Sequence, residues 1–206
     1  DTAIVLRGGS SAELMSVMSL DAITAIERAP EIARDGEGRP LASAEIVVSA
    51  NVPRVDGQDG SVTLRGVGDM AWAVRPGLRV VEGRRFETGR RELVVGRGAQ
   101  RQFSGLDPGN EVRLGNQVWS VVGVFEAGDS TDSEMWADAG IVASSYNRGS
   151  SRASVVARLR EAGDFNAFKA TLDADPRLQV EAKTTLEYFR EQSEGITRML
   201  RIIGIV

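Results

Sequence analysis

The chain has 206 residues, 42% of them apolar and 26% charged, with a formal charge of −4, so it can form one large domain or two modest ones and is not a disordered polymer. Histidine and cysteine are both absent, which excludes Ser-His-Asp, Cys-His and zinc-hydrolase mechanisms as well as a disulfide framework. The acidic balance leaves no nucleic-acid footprint, and the densest cations, Arg84-Arg85 and Arg90-Arg91, lie beside glutamates and read as solvated surface.

The chain opens on Asp1 with no methionine and no signal-peptide pattern, as expected of a processed product or an excised fragment. Residues 3–7 form a short apolar strand that ends at Gly8-Gly9. Ser19 or Asp21 can cap a helix whose apolar face is Leu20, Ile23, Ala25 and Ile26. Pro30 marks its end, Asp35–Pro40 is a loop, and Ala44–Ala50 reads as a strand, completing a β-α-β sequence.

From about residue 60 the character changes. Short β-type runs separated by glycine turns recur at Val62–Arg65, Arg79–Val81, Glu92–Gly96, Glu111–Leu114, Val118–Phe125 and Gly140–Ala143, with one short helix at Arg97–Phe103. The segment Val121–Phe125 is apolar on both faces and is expected to be a buried central strand. After residue 152 helix and strand alternate again. Ser154–Leu159 is a strand, and Asp164 caps a helix with Phe165, Phe168 and Leu172 on one face. Asp175-Pro176 stops that helix, Leu178–Ala182 is a strand, and Thr184 starts a final amphipathic helix. The run Met199–Val206 is too short to span a membrane as it stands. It fits either the first turns of a span or an ordinary terminal core helix.

Ordered motifs over residues 60–193 resemble the FtsX-like permease family, specifically the MacB-type periplasmic core domain. They are Leu64-Arg65-Gly66-Val67, Val81–Phe86, Glu92–Gly96 with Ala99 and Phe103, Gly109–Val112 with Leu114-Gly115, Trp119–Glu126, Ser133–Asp138, Asp175–Leu178, and Tyr188 with Gln192-Ser193. Read from the residues themselves, these pieces are mostly structural. The resemblance implies an α+β fold: a split β-α-β (porter-like) subdomain from residues 1–57 and 151–206, carrying a mostly antiparallel β-rich subdomain over residues 58–150. It implies membrane helices before Asp1 and from Ile202–Val206 onward, in the bacterial inner membrane, with this domain on the periplasmic side. It further implies a permease dimer, a cytoplasmic ATPase, and a periplasmic adaptor or lipoprotein as partners. No cofactor is expected within the domain. ATP belongs to the ATPase, since no phosphate loop is present and Gly96-Arg97-Gly98-Ala99 lacks the final glycine of a dinucleotide fingerprint, Arg101 standing there.

Two polar or partner-facing candidates remain. Asp129, Asp132 and Glu134, with Glu126 and Asp138 nearby, could hold a hard cation, although the spacing that preorganises a calcium loop is missing. The same acids could be proposed as a catalytic pair, but nothing in the sequence shows the burial that such a pair requires. Met70 and Trp72, in a turn-like stretch, are candidates for a partner surface, against the alternative of a core plug. No catalytic residue is assigned. The reading is a non-catalytic extracytoplasmic module coupling ATP-driven helix motion to export or partner control. Its rivals are a free-standing binding or adhesion module and a carboxylate-dependent hydrolase.

Overall fold

A computed structural model describes residues 1–205. Strand β1 (Thr2–Arg7) is followed by helix α1 (Leu20–Glu27) and a long strand β2 (Ala42–Pro53). The insert contains β3 (Asp59–Val67), α2 (Ala71–Val74), β4 (Arg79–Gly83), β5 (Glu92–Gly96) and α3 (Arg97–Gln102). It continues with β6 (Glu111–Leu114), β7 (Gln117–Glu126), β8 (Met135–Asp138) and α4 (Ala139–Ser145). The chain closes with β9 (Ser154–Arg158), α5 (Phe165–Asp173), β10 (Val180–Thr184) and α6 (Thr185–Ile203).

The strands line up as β10-β1-β9-β2-β3-β8-β5-β7-β4, with β4 and β6 dividing one edge of β7 between them. Both β1 and β2 run antiparallel to β9, so they are parallel to one another with β9 between them. By the same logic β9 and β10 are parallel and flank β1. Two β-α-β units are thus interleaved. The strands carry apolar residues on both faces because both faces are covered, and successive side chains point to opposite sides. Ala3, Val5, Val155 and Ala157 pack under α1 and α5 with Ile23, Ile26, Phe168 and Leu172. Ile4, Leu6 and Val156 face the other way, towards Tyr188 of α6.

A second core lies in the insert, where Val48, Leu64, Leu93, Trp119, Val121 and Met135 are packed together. Strand β2 serves both cores. Ala42–Glu45 pair with β9, and Ile46–Pro53 pair with β3. In β7 the inside–outside alternation slips at Gly123, where the register with β5 shifts by one residue. A Cβ at Gly123 would collide with the Arg84 carbonyl oxygen.

Several expectations are corrected. Gly140–Ala143 is helix rather than strand, because the Asp138 carboxylate accepts hydrogen bonds from the backbone N–H of Gly140 (2.7 Å) and Ile141 (3.3 Å) and so starts α4. A short apolar run does not separate helix from strand by periodicity, and the cap decides it. Leu20 lies on the outer side of α1 and is 57% exposed, leaving Ile23 and Ile26 as its anchors. The last strand starts at Val180, after Gln179 adopts a positive φ of 47° and its carbonyl accepts from Gly8 N–H. Within the insert, β3–β8 and β5–β7 are parallel, while the remaining pairings are antiparallel.

Gly66, in β3, faces α4. A Cβ there would sit 2.7 Å from Ile46 Cγ2 and 2.8 Å from Ala139 Cα, which is backbone and cannot give way cheaply. Gly66→Ala is expected to cost about 1–3 kcal/mol in urea denaturation through overpacking. Gly163→Ala, where the added carbon meets nothing, should stay within about 1 kcal/mol of the parent.

Candidate functional site

The most unusual chemistry lies at the seam where β2 changes partners. Arg65, on β3, is only 2% exposed, and the carboxylates around it come from three separate parts of the chain. Its Nε and Nη2 donate to the two oxygens of Glu134, each at 2.9 Å. Its Nη1 and Nη2 donate to Glu13 Oε2 (2.7 Å) and Oε1 (3.0 Å), and Nη1 also reaches Glu45 Oε1 (3.1 Å). All five guanidinium donors therefore find acceptors, as burial of a permanent cation demands.

Glu45 is fully buried at the last residue of β2 paired with β9. Arg75, just after α2, clasps it with two bonds of 2.6 and 2.8 Å, and its guanidinium stacks over Trp136 at 4.7 Å. Each acid also accepts from a neutral donor, on an oxygen that already takes a guanidinium N–H: Ser43 Oγ on Glu45 Oε2, Ser154 Oγ on Glu13 Oε2 and Trp136 Nε1 on Glu134 Oε1. Burial by itself would push the Arg65 guanidinium down, but Glu13, Glu134 and Glu45 hold it well above its ordinary value. Burial likewise favours a protonated Glu45. The positive charges of Arg75 and Arg65, with the Ser43 hydrogen bond, outweigh it and hold the carboxyl below the usual carboxylate range.

The last helix is tied into this cluster. Thr184 Oγ1 caps α6 by accepting from Glu187 N–H, and Tyr188 follows one residue later, 4% exposed. The Tyr188 hydroxyl accepts from the backbone N–H of Glu13 at 2.9 Å. Glu13 is itself fixed by a short 3₁₀ turn (Glu13–Met15), and neighbouring Ser16 Oγ donates to the Ala153 carbonyl. Burial, followed by the Glu13 charge, pushes the Tyr188 phenol up to about 12. Two further bonds hold the same helix: Gln192 to the Ser11 carbonyl at 2.7 Å, and Lys183 to Glu191 at 2.7 Å.

Residues 2–175 match the family described as MacB-like periplasmic core domain. The chain belongs to that family. The extracellular domain of the noncanonic ABC-type transporter YknZ from Gram-positive bacteria has a similar structure, with 18% identity, a TM-score of 0.66, and coverage of 89% of this chain and 100% of that one. The periplasmic region of MacB from Actinobacillus actinomycetemcomitans is also similar, with 13% identity, a TM-score of 0.65, and coverage of 97% and 92%. At these identities the likeness is one of fold. No curated protein sequence matches the chain.

In this MacB-like domain the sequence candidates are placed apart from one another. Glu134 turns inward to Arg65, whereas Asp132 accepts from the backbone N–H of Ala127 and Gly128. Asp129 caps the turn that follows, taking Thr131 N–H and its hydroxyl. Among the described residues no three acids are grouped so that they could hold a metal ion. Trp72 is half-buried against Trp136 and Phe86, with Arg85 stacked over its ring at 4.7 Å. Met70 is also half-buried, packed beside Val74 and Tyr188 in a different cluster. Sequence reading missed Glu13, Glu45, Arg65 and Arg75 as members of one site. The available signal was a charge inside an apolar strand run, in Ala44-Glu45-Ile46-Val47 and again in Leu64-Arg65-Gly66-Val67.

Removing the Arg65 charge leaves three buried carboxylates without their shared partner, so Arg65→Met should cost about 3–5 kcal/mol in urea denaturation. The raised Tyr188 phenol gives a second, alkaline test. Its contribution is complete below pH 10, where folded and unfolded chains both keep the proton. It is lost as pH rises towards 12, because the unfolded chain ionises first. The parent should lose roughly 2–3 kcal/mol from this group over that window. Tyr188→Phe should be less stable at neutral pH yet fall off less steeply.

Proposed function

We propose that this domain is the extracytoplasmic, non-catalytic part of an ABC-transporter permease in the bacterial inner membrane, and that α6 carries motion between membrane helices and the buried ionic joint. The observation that carries this reading is the division of α6 into a clamped base and a bare arm. Its first two turns are held by Tyr188, Phe189, Glu191 and Gln192. Beyond them Ile196, Met199, Ile202 and Ile203 are all at least 61% exposed. Gly204 follows with φ of 75°, and Val206, expected on the same continuing helix, lies outside the described residues. No described helix is long and apolar enough to cross a membrane.

A rigid arm clamped at one end transmits displacement, and a flexible one dissipates it. The joint itself favours a mechanical role over acid–base chemistry. Arg65 and Arg75 occupy its carboxylate oxygens, and Glu45, held below the usual carboxylate range, is a poor proton donor near neutral pH. In this reading the partners are a second permease copy, a cytoplasmic ATPase that holds the ATP, and a periplasmic adaptor or lipoprotein. Cargo and partner choice are properties of the assembled transporter.

Ser193 and Gly195 lie in the bare arm, and glycine is the weakest helix former among residues that can stay in a helix. Several glycines inserted after Gly195 of the full-length permease, reconstituted with its ATPase, should uncouple the domain. Spin labels at Lys169→Cys in the two copies would report ATP-dependent changes in their separation. The insertion should abolish those changes while ATP hydrolysis continues. Survival of the ATP-dependent change would rule out the lever.

A further inference from the structure

Two clefts open along the seam, one on either side of Phe189, which lines both. The first, of ≈ 170 Å³, is bordered by Glu13, Leu14, Val47, Arg65 and Glu134. The second, of ≈ 190 Å³, has Thr2, Val156 and Thr185 on one wall and Arg75, Leu78 and Thr131 on the other. Both open to solvent, so the two depressions mark one line along which the halves meet without filling the surface between them. Backbone and side chains cross that line at particular places. Strand β2 passes through it at Glu45–Ile46, Gly68 N–H of the insert donates to Ser43 Oγ, and Arg65 and Arg75 reach from the insert to Glu13 and Glu45.

We infer that β2 acts as a hinge at Glu45–Ile46 and that the Arg65–Glu13 ion pair is its latch. With the pair made, the insert and the terminal subdomain move as one body. With it released, the insert swings about β2, closing the cleft on one side of Phe189 and widening the other. Such a pair suits a latch. Desolvation of two buried charges offsets much of their attraction, so the pair fixes geometry more than it adds stability. Its acid partner sits on a short turn at the surface: Gly8-Gly9 precede it, and Leu14 and Met15 beside it are 62% and 69% exposed. Tyr188 holds that turn by its backbone N–H, which places the latch in direct contact with α6. The hinge is a property of this chain by itself and stands whether or not a membrane helix drives α6.

The test uses the 206-residue chain, which has no cysteine to interfere with labelling. Spin labels at Lys169→Cys on α5 and Arg113→Cys on β6, both exposed positions, span the seam. The parent should give one narrow distance distribution. Glu13→Gln, which keeps the shape and removes the charge, should give a broader or two-peaked one. An unchanged distribution overturns the latch. Should Glu13→Gln fail to fold, amide exchange of the parent decides. The Glu13 and Gly68 amides should then exchange at least roughly tenfold faster than those of Val5 and Val95, through opening confined to the seam. Equal protection at all four overturns the hinge.

Discussion

A guanidinium keeps its proton at any pH a folded protein survives, so burying one obliges the surroundings to answer it. Arg65 is answered from three directions: the turn after β1, the middle of β2 and the approach to β8. Much of the local architecture follows. Glu45 must lie where β2 leaves one sheet neighbour for the next, and Arg75 must stack on Trp136 to reach it. Ser43, Ser154 and the Trp136 indole each add a second donor to an oxygen that an arginine already binds. The seam is therefore polar at its centre and apolar on its flanks. That arrangement specifies one relative placement of the two halves more sharply than an apolar contact would.

The sequence made the regular parts of the fold legible because their signals are local. Ser19 and Thr184 cap α1 and α6 through their own side chains, and Val121–Phe125 is apolar on both faces because Val121 and Val124 pack with Leu93 and Met135 on one side while Val122 and Phe125 pack with Trp136 and Leu78 on the other. The helix α4 was misread because its apolar run is short and its deciding feature, Asp138, was counted among the acids of a loop. The joint was illegible for a different reason. Arg65 is 52 residues from Glu13 and 69 from Glu134, and a single sequence carries no record of such pairings. Glu134 was accordingly grouped with Asp129 and Asp132, its neighbours along the chain, whereas its partner lies on another strand.

The motifs behind the family resemblance are structural in this chain, and they position the joint without being all of it. Gly83 has a φ of 66° and is packed so close to Val122 that no side chain fits there. Phe86 leans on Trp72, which in turn meets Trp136 at 5.4 Å, so an aromatic stack backs the ring over which Arg75 lies. Of the motif residues, Arg65, Glu134, Trp136 and Tyr188 bond within the cluster itself. Glu13 and Glu45 fall in the first fifty residues, where the resemblance rests only on the order of elements. Two of the joint's three carboxylates thus lay in the part of the chain with the fewest recognisable motifs.

The division of β2 between two cores also limits how such a domain can be re-engineered or diversified. An insert excised at Ile46 would take Arg65 and Glu134 with it and abandon Glu45 and Glu13 in the remnant, stranding opposite charges in two separate interiors. A transplantable insert must therefore bring its own neutral or matched seam. Loops at the far end, such as the Gly115-Asn116 turn between β6 and β7, carry no such debt and can vary in length without disturbing the junction.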